Sequence, residues 1–214
     1  MMEVLISPGK FFENLENFGY RVVAGVALLS AIPSAMIQYL VVSSMISIFP
    51  PDVRPFLQLF SIFGLIFSFI IVFVVILIVA GLIHLISGIF GGEGEFVKTA
   101  TVTGYGMIPA VILSYVQLII FLYYFNQAGG FETLDQFIAF LTNQTRLISG
   151  VIFSVAGSFW SVAVMSAGIS RIRKIQYSKA LISCLIPFML YLAYTVYGIF
   201  SVTSLGKMQG FSAL

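Results

Sequence analysis

Charge is the scarcest property of this 214-residue chain, since only 8% of its residues are charged and 60% are hydrophobic. Soluble domains usually carry about 25% charged residues. Ten Lys and Arg with eight Asp and Glu cannot cover a water-facing surface of this size. The composition disfavours a soluble enzyme, a disordered chain and a nucleic-acid-binding protein, and it predicts an integral membrane protein.

Long uncharged runs separate the few charges. They hold 30, 38, 33, 24 and 27 residues, and a membrane-spanning helix needs about 20 apolar residues. Unpaired backbone groups are costly in hydrocarbon, so helices are expected rather than open strands. We predict an all-α bundle of five transmembrane helices that forms one membrane domain, 1–214. The predicted spans are about 22–48, 56–90, 99–125, 147–170 and 180–203.

The 38-residue run is long enough to raise the question of two short spans. A turn near Gly64 would be required, but residues 59–79 contain no Pro, Asn, Asp or Gly pair. We therefore predict one long, tilted helix, with Pro55 in its first turn.

The Lys and Arg residues are unevenly divided between the two sides of the predicted bundle. Seven lie on the side of the N-terminal segment and three lie on the other side. Because positively charged connections stay in the cytoplasm, we expect a cytoplasmic N-terminus and an external C-terminus. The cluster Arg171-Ile172-Arg173-Lys174 dominates this count. Topogenic anchoring is its simplest role, and binding of anionic lipid or of a partner is the alternative.

Two segments outside the spans have amphipathic helical patterns. Phe11, Leu15 and Phe18 recur at helical spacing in the segment 7–18, which predicts a cytoplasmic interfacial helix. Its apolar face either lies in the headgroup layer or packs on the protein's own bundle, and the sequence leaves both open. The segment 131–142 begins with a capping-box sequence and predicts an outer interfacial helix. Its expected apolar stripe is Phe131, Leu134, Ile138 and Leu141.

Groups that carry out chemistry are scarce in the predicted spans. None of the spans contains Asp, Glu, Lys or Arg, although proton and sodium carriers usually hold an ionisable residue at mid-membrane. Cys184 is the only cysteine, so an intrachain disulfide and a cysteine cluster are both impossible. No base is evident that would activate a serine nucleophile. We predict a protein that is not an enzyme and needs no cofactor.

The polar side chains inside the spans are few and uncharged. Hydrogen bonds between helices are their expected role. The alternative is a polar cavity for a neutral solute or a lipid headgroup, lined by Gln38, Gln117, Tyr191 and Tyr194. Small residues along the fourth span predict close helix packing. They are Gly150, Ser154, Gly157, Ser161 and Gly168.

The most informative segment surrounds the end of the second span. Gly91 and Gly92 are expected to end that helix. Imidazole and carboxylate are suitable metal ligands, so His84, Glu93 and Glu95 form a weak candidate site for a divalent cation. A hydrogen bond from His84 inside the bundle is the favoured interpretation, and no metal is predicted.

Three motifs around this segment carry a family resemblance. A His-Leu pair at 84–85 is followed by a Gly-Gly-x-Gly-x-Phe loop at 91–96 and by Gly-Tyr-x-x-x-Pro at 104–109. The segment 7–12 adds Ser-Pro-Gly-Lys-Phe-Phe. In order and spacing these motifs resemble the Ypt/Rab-interacting protein (YIP) domain family over nearly the whole chain. The positions that match the family's pattern are His84, Gly91, Gly92, Gly94, Phe96, Tyr105 and Pro109.

The resemblance implies a membrane protein with five spans, a cytoplasmic N-terminus and no established catalytic activity. Eukaryotic members act in vesicle traffic and contact prenylated small GTPases. This chain lacks their long N-terminal region and their acidic-Leu-Tyr-Gly-Pro motif, so Rab-type GTPase binding is not expected. It resembles the short archaeal or bacterial members, which implies a location in a prokaryotic cell membrane.

We therefore expect a non-enzymatic protein that organises membranes or acts as a scaffold, in a trafficking-like role. Its expected partners are membrane lipids and either another membrane protein or a second copy of the chain, and nucleic acid is not among them. One alternative is a channel or transporter for a neutral or lipid-like solute. The other is an accessory subunit of a membrane complex.

Overall fold

The computed structural model describes the backbone of residues 2–211, and their side chains except at 47, 65, 195, 199–200 and 202–211. Every regular element in this part of the chain is helical. The α-helices are α1 (Met2–Ile6), α2 (Pro8–Glu13), α3 (Tyr20–Met45), α4 (Arg54–Ile89), α5 (Phe96–Gly106), α6 (Ile108–Ala128), α7 (Leu134–Leu141), α8 (Gln144–Ile172) and α9 (Tyr177–Phe211), and a 3₁₀ turn, Ile46–Ile48, follows α3.

Five segments are long and apolar enough to cross a membrane. They are α3, α4, the consecutive pair α5 and α6, α8, and α9. The predicted all-α bundle of five transmembrane helices is thereby confirmed. The fifth candidate span covers Tyr177–Gly198.

The second span is a single helix, as the lack of turn residues in it predicts. α4 has 36 residues, so at 1.5 Å per residue it is about 54 Å long. Since the hydrocarbon core is about 30 Å thick, the helix must tilt or project from it. Pro55 lies in the first turn, where its missing N–H costs no helical hydrogen bond. Most of the apolar side chains of α4 are exposed, which is the surface that lipid contact requires.

α5 is the most enclosed helix in the bundle, and it contacts α3, α4 and α8. Thr99, Thr101 and Thr103 are fully buried on it. The Thr103 hydroxyl donates to the Thr99 carbonyl at 2.9 Å, and the Thr101 hydroxyl accepts from the Gly19 N–H at 2.9 Å. Buried hydroxyls require such partners. These threonines therefore satisfy their own polar groups and also fix the chain that leads into α3.

The third span is interrupted where α5 meets α6. Pro109 lies in the first turn of α6 and has no N–H to donate. The Ala110 N–H donates to the Ser161 hydroxyl of α8 at 3.2 Å. A side chain from a neighbouring helix thus satisfies a backbone donor at the break, as membrane helices require.

The small residues of α8 allow other elements to approach it closely. A Cβ on Gly157 would lie 3.1 Å from the Cα of Ala110 in α6, and one on Gly168 would lie 2.8 Å from the ring of Phe12. A Cβ on Gly150 would contact nothing within 4 Å. The packing role predicted for the small residues is confirmed at Gly157 and Gly168 but not at Gly150.

The N-terminal segment forms two short helices rather than the single helix predicted over 7–18. α1 ends at Ile6, α2 begins at Pro8, and α2 already ends at Glu13. Leu15 and Phe18 therefore lie in non-helical chain. The Ser7 side chain forms no capping hydrogen bond at the start of α2.

Contact with the bundle explains this difference. Val4 is 0% exposed and Phe12 is 3% exposed, in one hydrophobic cluster with residues of α5, α8 and α9. The Phe12 ring occupies the space that Gly168 leaves open. Of the two alternatives left open by the sequence, the structure therefore has the segment packed on the protein's own bundle.

The segment predicted as a helix over 131–142 contains α7, which begins one residue after the capping Thr133. The Thr133 hydroxyl accepts a hydrogen bond from the Gln136 N–H at 3.3 Å, and the Gln136 side chain accepts one from the Glu132 N–H at 2.9 Å. Of the predicted apolar stripe, Phe131 is buried against the bundle, whereas Leu134 is 49% exposed. An aromatic cluster with α6 determines the buried face instead, because aromatic rings contribute the largest apolar area. Its members are Phe121, Phe131, Phe137 and Phe140.

The bundle has two ends, which we name by what they carry. The N-terminal face comprises α1, α2, the α4–α5 loop at 90–95 and the α8–α9 turn at 173–176. The opposite face carries α7 and the connection between α3 and α4.

Candidate functional site

The N-terminal face is organised around Arg173, which follows α8 and is only 3% exposed. Its Nε donates to the Ser87 hydroxyl at 3.2 Å, its Nη1 to the Gly94 carbonyl at 2.7 Å and its Nη2 to the His84 carbonyl at 3.4 Å. The Arg173 carbonyl accepts from the Glu93 N–H at 3.1 Å. We call these five residues the Arg173 site.

The three acceptors around the Arg173 guanidinium are neutral groups. Carbonyls near the C-terminus of a helix carry partial negative charge, and Ser87 and His84 lie in the last two turns of α4. Burial lowers the pKa of Arg173 from its ordinary value, but arginine is so basic that the side chain stays charged. Helix-end dipoles and hydrogen bonds therefore stabilise a buried cation here.

The backbone ends α4 in a Schellman motif, a helix end closed by two backbone hydrogen bonds. The Gly91 N–H donates to the Gly88 carbonyl and the Gly92 N–H to the Ser87 carbonyl, both at 2.9 Å. Gly91 has a φ of +84°, a conformation that favours glycine because it has no Cβ. The helix end predicted at Gly91 and Gly92 thus has a specific geometry.

α8 ends in the same motif without a glycine. The Lys174 N–H donates to the Arg171 carbonyl at 3.4 Å, and the Ile175 N–H donates to the Ser170 carbonyl at 3.2 Å. Lys174 has a φ of +53°, a conformation that costs a non-glycine residue about 1 kcal/mol. The Arg173 site joins these two helix ends.

Two further glycines of the loop are required by the closeness of Arg173. A Cβ on Gly92 would lie 2.7 Å from the Ser87 carbonyl oxygen and 3.0 Å from the Arg173 Nε. Gly94 has a φ of +101° and presents its carbonyl to the guanidinium. The Gly-Gly-x-Gly sequence is therefore what allows the loop to wrap around this side chain.

His84 lies beside the site and connects α4 to α5. Its Nδ1 is 2.9 Å from the Thr99 hydroxyl oxygen. Its ring meets the Phe96 ring edge-to-face, with 5.6 Å between the centroids. The structure thus places His84 in a hydrogen bond inside the bundle, the interpretation that the sequence favoured.

The carboxylates of the loop do not converge on His84. Glu93 pairs with Lys174 at 3.4 Å, and the two side chains are 73% and 77% exposed. Among the described residues, no three His, Cys, Asp or Glu side chains are grouped as metal ligands would be. The weak candidate cation site of His84, Glu93 and Glu95 is therefore not formed in the structure.

Tyr105 connects the N-terminal helices to α5. Its ring packs edge-to-face against Phe11, with 4.9 Å between the centroids, and against Phe12 at 6.3 Å. Lys98 places its Nζ 5.5 Å from the centre of the Phe18 ring. Such aromatic contacts contribute about 1 kcal/mol each. The residues predicted to form an interfacial face therefore bind the bundle.

The four polar residues suggested for a cavity are not brought together. The Gln117 Nε2 donates to the Gly150 carbonyl at 2.9 Å. The Tyr191 and Ser154 hydroxyls are 2.9 Å apart, so both residues link neighbouring helices. Tyr194 is 75% exposed and faces outward.

Gln38 packs against Gly64 of α4. The contact is so close that a Cβ on Gly64 would lie 2.5 Å from the Gln38 Nε2. Gln117 does line a cavity of about 140 Å³, but with Arg146 and Ser149 rather than with the other three. The four residues of the predicted cavity thus lie in four different places.

The central residue of the site was missed by sequence reasoning, which grouped Arg173 with Arg171 and Lys174 as a topogenic cluster. A usable signal exists in the spacing. Residues two apart on a helix point in nearly opposite directions, so Arg171 and Arg173 cannot both face solvent if α8 packs on the bundle. Arg171 is exposed and Arg173 is buried.

A family model described as the Yip1 domain matches residues 2–198. The chain belongs to the Yip1 domain family. An uncharacterized protein of Methanocaldococcus jannaschii is 36% identical over 114 residues, which are 52% of this chain and 81% of that protein. No solved structure matches the chain. The resemblance drawn from the sequence is confirmed, and this Yip1 domain is a multi-pass membrane protein with an archaeal relative.

The motif residues of this Yip1 domain lie together around two contacts. Five of them belong to the Arg173 site or lie next to it: His84, Gly91, Gly92, Gly94 and Phe96. Tyr105 holds α2, and Pro109 lies where the third span is interrupted. In the structure these residues have packing and backbone roles.

We predict that Arg173→Met destabilises the protein by about 3 kcal/mol, since it leaves buried acceptors without a partner. Arg173→Lys should lose less, because a single ammonium replaces only part of the guanidinium's hydrogen bonds. The measurement is the midpoint of thermal unfolding in one detergent.

Arg171→Met is the matched control, because Arg171 is an exposed arginine two residues away. It should leave the midpoint nearly unchanged. An equal loss in Arg171→Met and Arg173→Met would contradict a structural role for the Arg173 site.

Proposed function

We propose that this Yip1 protein is non-enzymatic and organises a prokaryotic cell membrane as a scaffold, in a trafficking-like role, through contacts with lipids and membrane proteins. The use of the polar groups inside the spans is the observation that supports it most. Three of these polar side chains bond to groups on neighbouring helices, where they hold the bundle together. The pairs are His84 with Thr99, Gln117 with Gly150, and Tyr191 with Ser154.

The exposed surface supports the same proposal. The N-terminal face presents Lys10, Arg171, Lys174 and Lys179 to its surroundings, and basic groups at the membrane surface attract anionic lipids. α4 exposes a long apolar surface for lipid or for another helix. Both surfaces suit binding to a membrane and its components better than turnover of a substrate.

A carrier of a neutral or lipid-like solute is the second candidate. The observation in its favour is the cavity of about 140 Å³ beside Gln117 and Arg146. Ligand sites usually enclose about 300–1,000 Å³, so this cavity is small for such a role.

The proposal includes a cytoplasmic N-terminal face, which the excess of Lys and Arg there supports. In a Cys184→Ser background, we expect an impermeant maleimide to label Ser178→Cys only from the cytoplasmic side of oriented membrane vesicles. Glu132→Cys, which is on the opposite face, is the matched control and should be labelled only from outside. The reverse pattern would invert the proposed topology.

The scaffold function predicts a change in membrane shape without solute flow. Purified protein reconstituted at increasing density into vesicles containing phosphatidylglycerol should shift the curvature distribution seen by electron cryomicroscopy. Glycerol permeability and lipid exchange between leaflets should remain at the level of protein-free vesicles.

Glycerol flow or lipid exchange that increases with protein density, without a change of shape, would favour the carrier instead. If neither a change of shape nor any flow is seen, at densities where the protein is folded and inserted, the scaffold function is contradicted. Arg173→Met serves as a destabilised control for nonspecific effects of inserted protein.

A further inference from the structure

A cavity of about 460 Å³ lies on the N-terminal face, between α2, the end of α8 and the start of α9. Its volume falls within the range of small-molecule sites, about 300–1,000 Å³. Gly9 forms part of the wall on the α2 side, and a Cβ there would meet nothing within 4 Å. The N-terminal helix therefore leaves this space open.

The lining of the cavity divides into an apolar part and a cationic part. Ala167 and Ile175 supply apolar surface. The polar part has two cations and two hydroxyl groups, and the lining contains no carboxylate. These groups belong to Ser170, Arg171, Lys174 and Tyr177.

This combination suits a phosphate group. A guanidinium binds phosphate through two parallel hydrogen bonds, and an ammonium adds a second positive charge. Lys174 has an ion pair with Glu93, but both side chains are largely exposed, and such pairs contribute little. A phosphate gains two positively charged partners here, Arg171 and Lys174, and can therefore compete with Glu93 for Lys174.

The backbone holds the two cations on one turn. Arg171 accepts a hydrogen bond from the Lys174 N–H through its carbonyl, at 3.4 Å, and the buried Arg173 fixes the turn between them. The backbone of the turn is therefore already ordered before binding, and only the two side chains remain to be fixed.

The position along the membrane points to a lipid as one source of the phosphate. The cavity is formed where α8 ends and α9 begins, and both helices are candidate spans. Span ends lie near the headgroup layer, where the apolar part of the lining would meet the glycerol end of a lipid.

We propose that this cavity binds the phosphate of an anionic lipid headgroup or of a soluble phosphate ester, with Arg171 and Lys174 as its ligands. The inference deepens the proposed membrane-organising function and rests on it for the lipid source. It names the class of lipid that the N-terminal face would recognise.

The test uses the purified full chain and measures bound lipid by native mass spectrometry. Phosphatidylglycerol, phosphatidylcholine and soluble glycerol 3-phosphate are titrated separately and in competition. The double variant Arg171→Gln/Lys174→Gln is compared with Arg21→Gln/Lys179→Gln, which removes the same charge from exposed positions outside the lining. Both double variants are first checked for an unchanged unfolding midpoint.

We expect the wild type to prefer phosphatidylglycerol to phosphatidylcholine. The cavity variant should bind phosphatidylglycerol about tenfold or more weakly, whereas the control should change much less. Failure of glycerol 3-phosphate to compete identifies the lipid as the source, and tighter binding of glycerol 3-phosphate identifies a soluble ester. Both results support the site.

Equal losses in the two double variants would overturn the proposal, since they would reduce it to general surface charge. The absence of any preference for phosphatidylglycerol together with no binding of glycerol 3-phosphate would overturn it too. If vesicle reshaping persists in the cavity variant although its lipid preference is lost, the scaffold does not depend on this site. If the wild type prefers phosphatidylglycerol but does not reshape vesicles, the scaffold function is contradicted and the phosphate site is not.

Discussion

A buried guanidinium needs hydrogen-bond acceptors on every side, and Arg173 finds them at the end of another helix. Its bonds to Ser87, Gly94 and the His84 carbonyl join α8 to α4 and to the loop that follows it. The cost of burying this charge is offset only while all these groups are in place. Glycine is required at position 92, because a Cβ there would lie 2.7 Å from the Ser87 carbonyl oxygen and 3.0 Å from the Arg173 Nε.

The remaining contacts of the N-terminal face depend on the Arg173 site. It fixes the start of α5, from which Thr99 reaches His84 and Tyr105 reaches Phe11. It also fixes the turn that carries Arg171 and Lys174, so one structural cation positions two exposed ones. Basic side chains carried on a fixed backbone turn are consistent with the scaffold function that we propose.

The five spans could be predicted because hydrocarbon tolerates so few charges that their spacing alone marks the helices. The end of α4 was also readable, since Gly91 and Gly92 specify a local backbone geometry. The burial of Arg173 and the packing of Phe12 on Gly168 could not be predicted from the sequence, because each depends on how distant helices are oriented. For the same reason Gln38, Gln117, Tyr191 and Tyr194, although alike in type, do not meet.

Hydrogen–deuterium exchange at the Gly92 and Glu93 amides tests the central role of Arg173 most directly. In an ordinary exposed loop these amides would exchange freely, whereas here one bonds to the Ser87 carbonyl and the other to the Arg173 carbonyl. In lipid nanodiscs we predict that both exchange as slowly as the last turn of α4 in the wild type, and that both lose protection in Arg173→Met. Exchange at the rate of an unstructured loop in the wild type would contradict the Arg173 site.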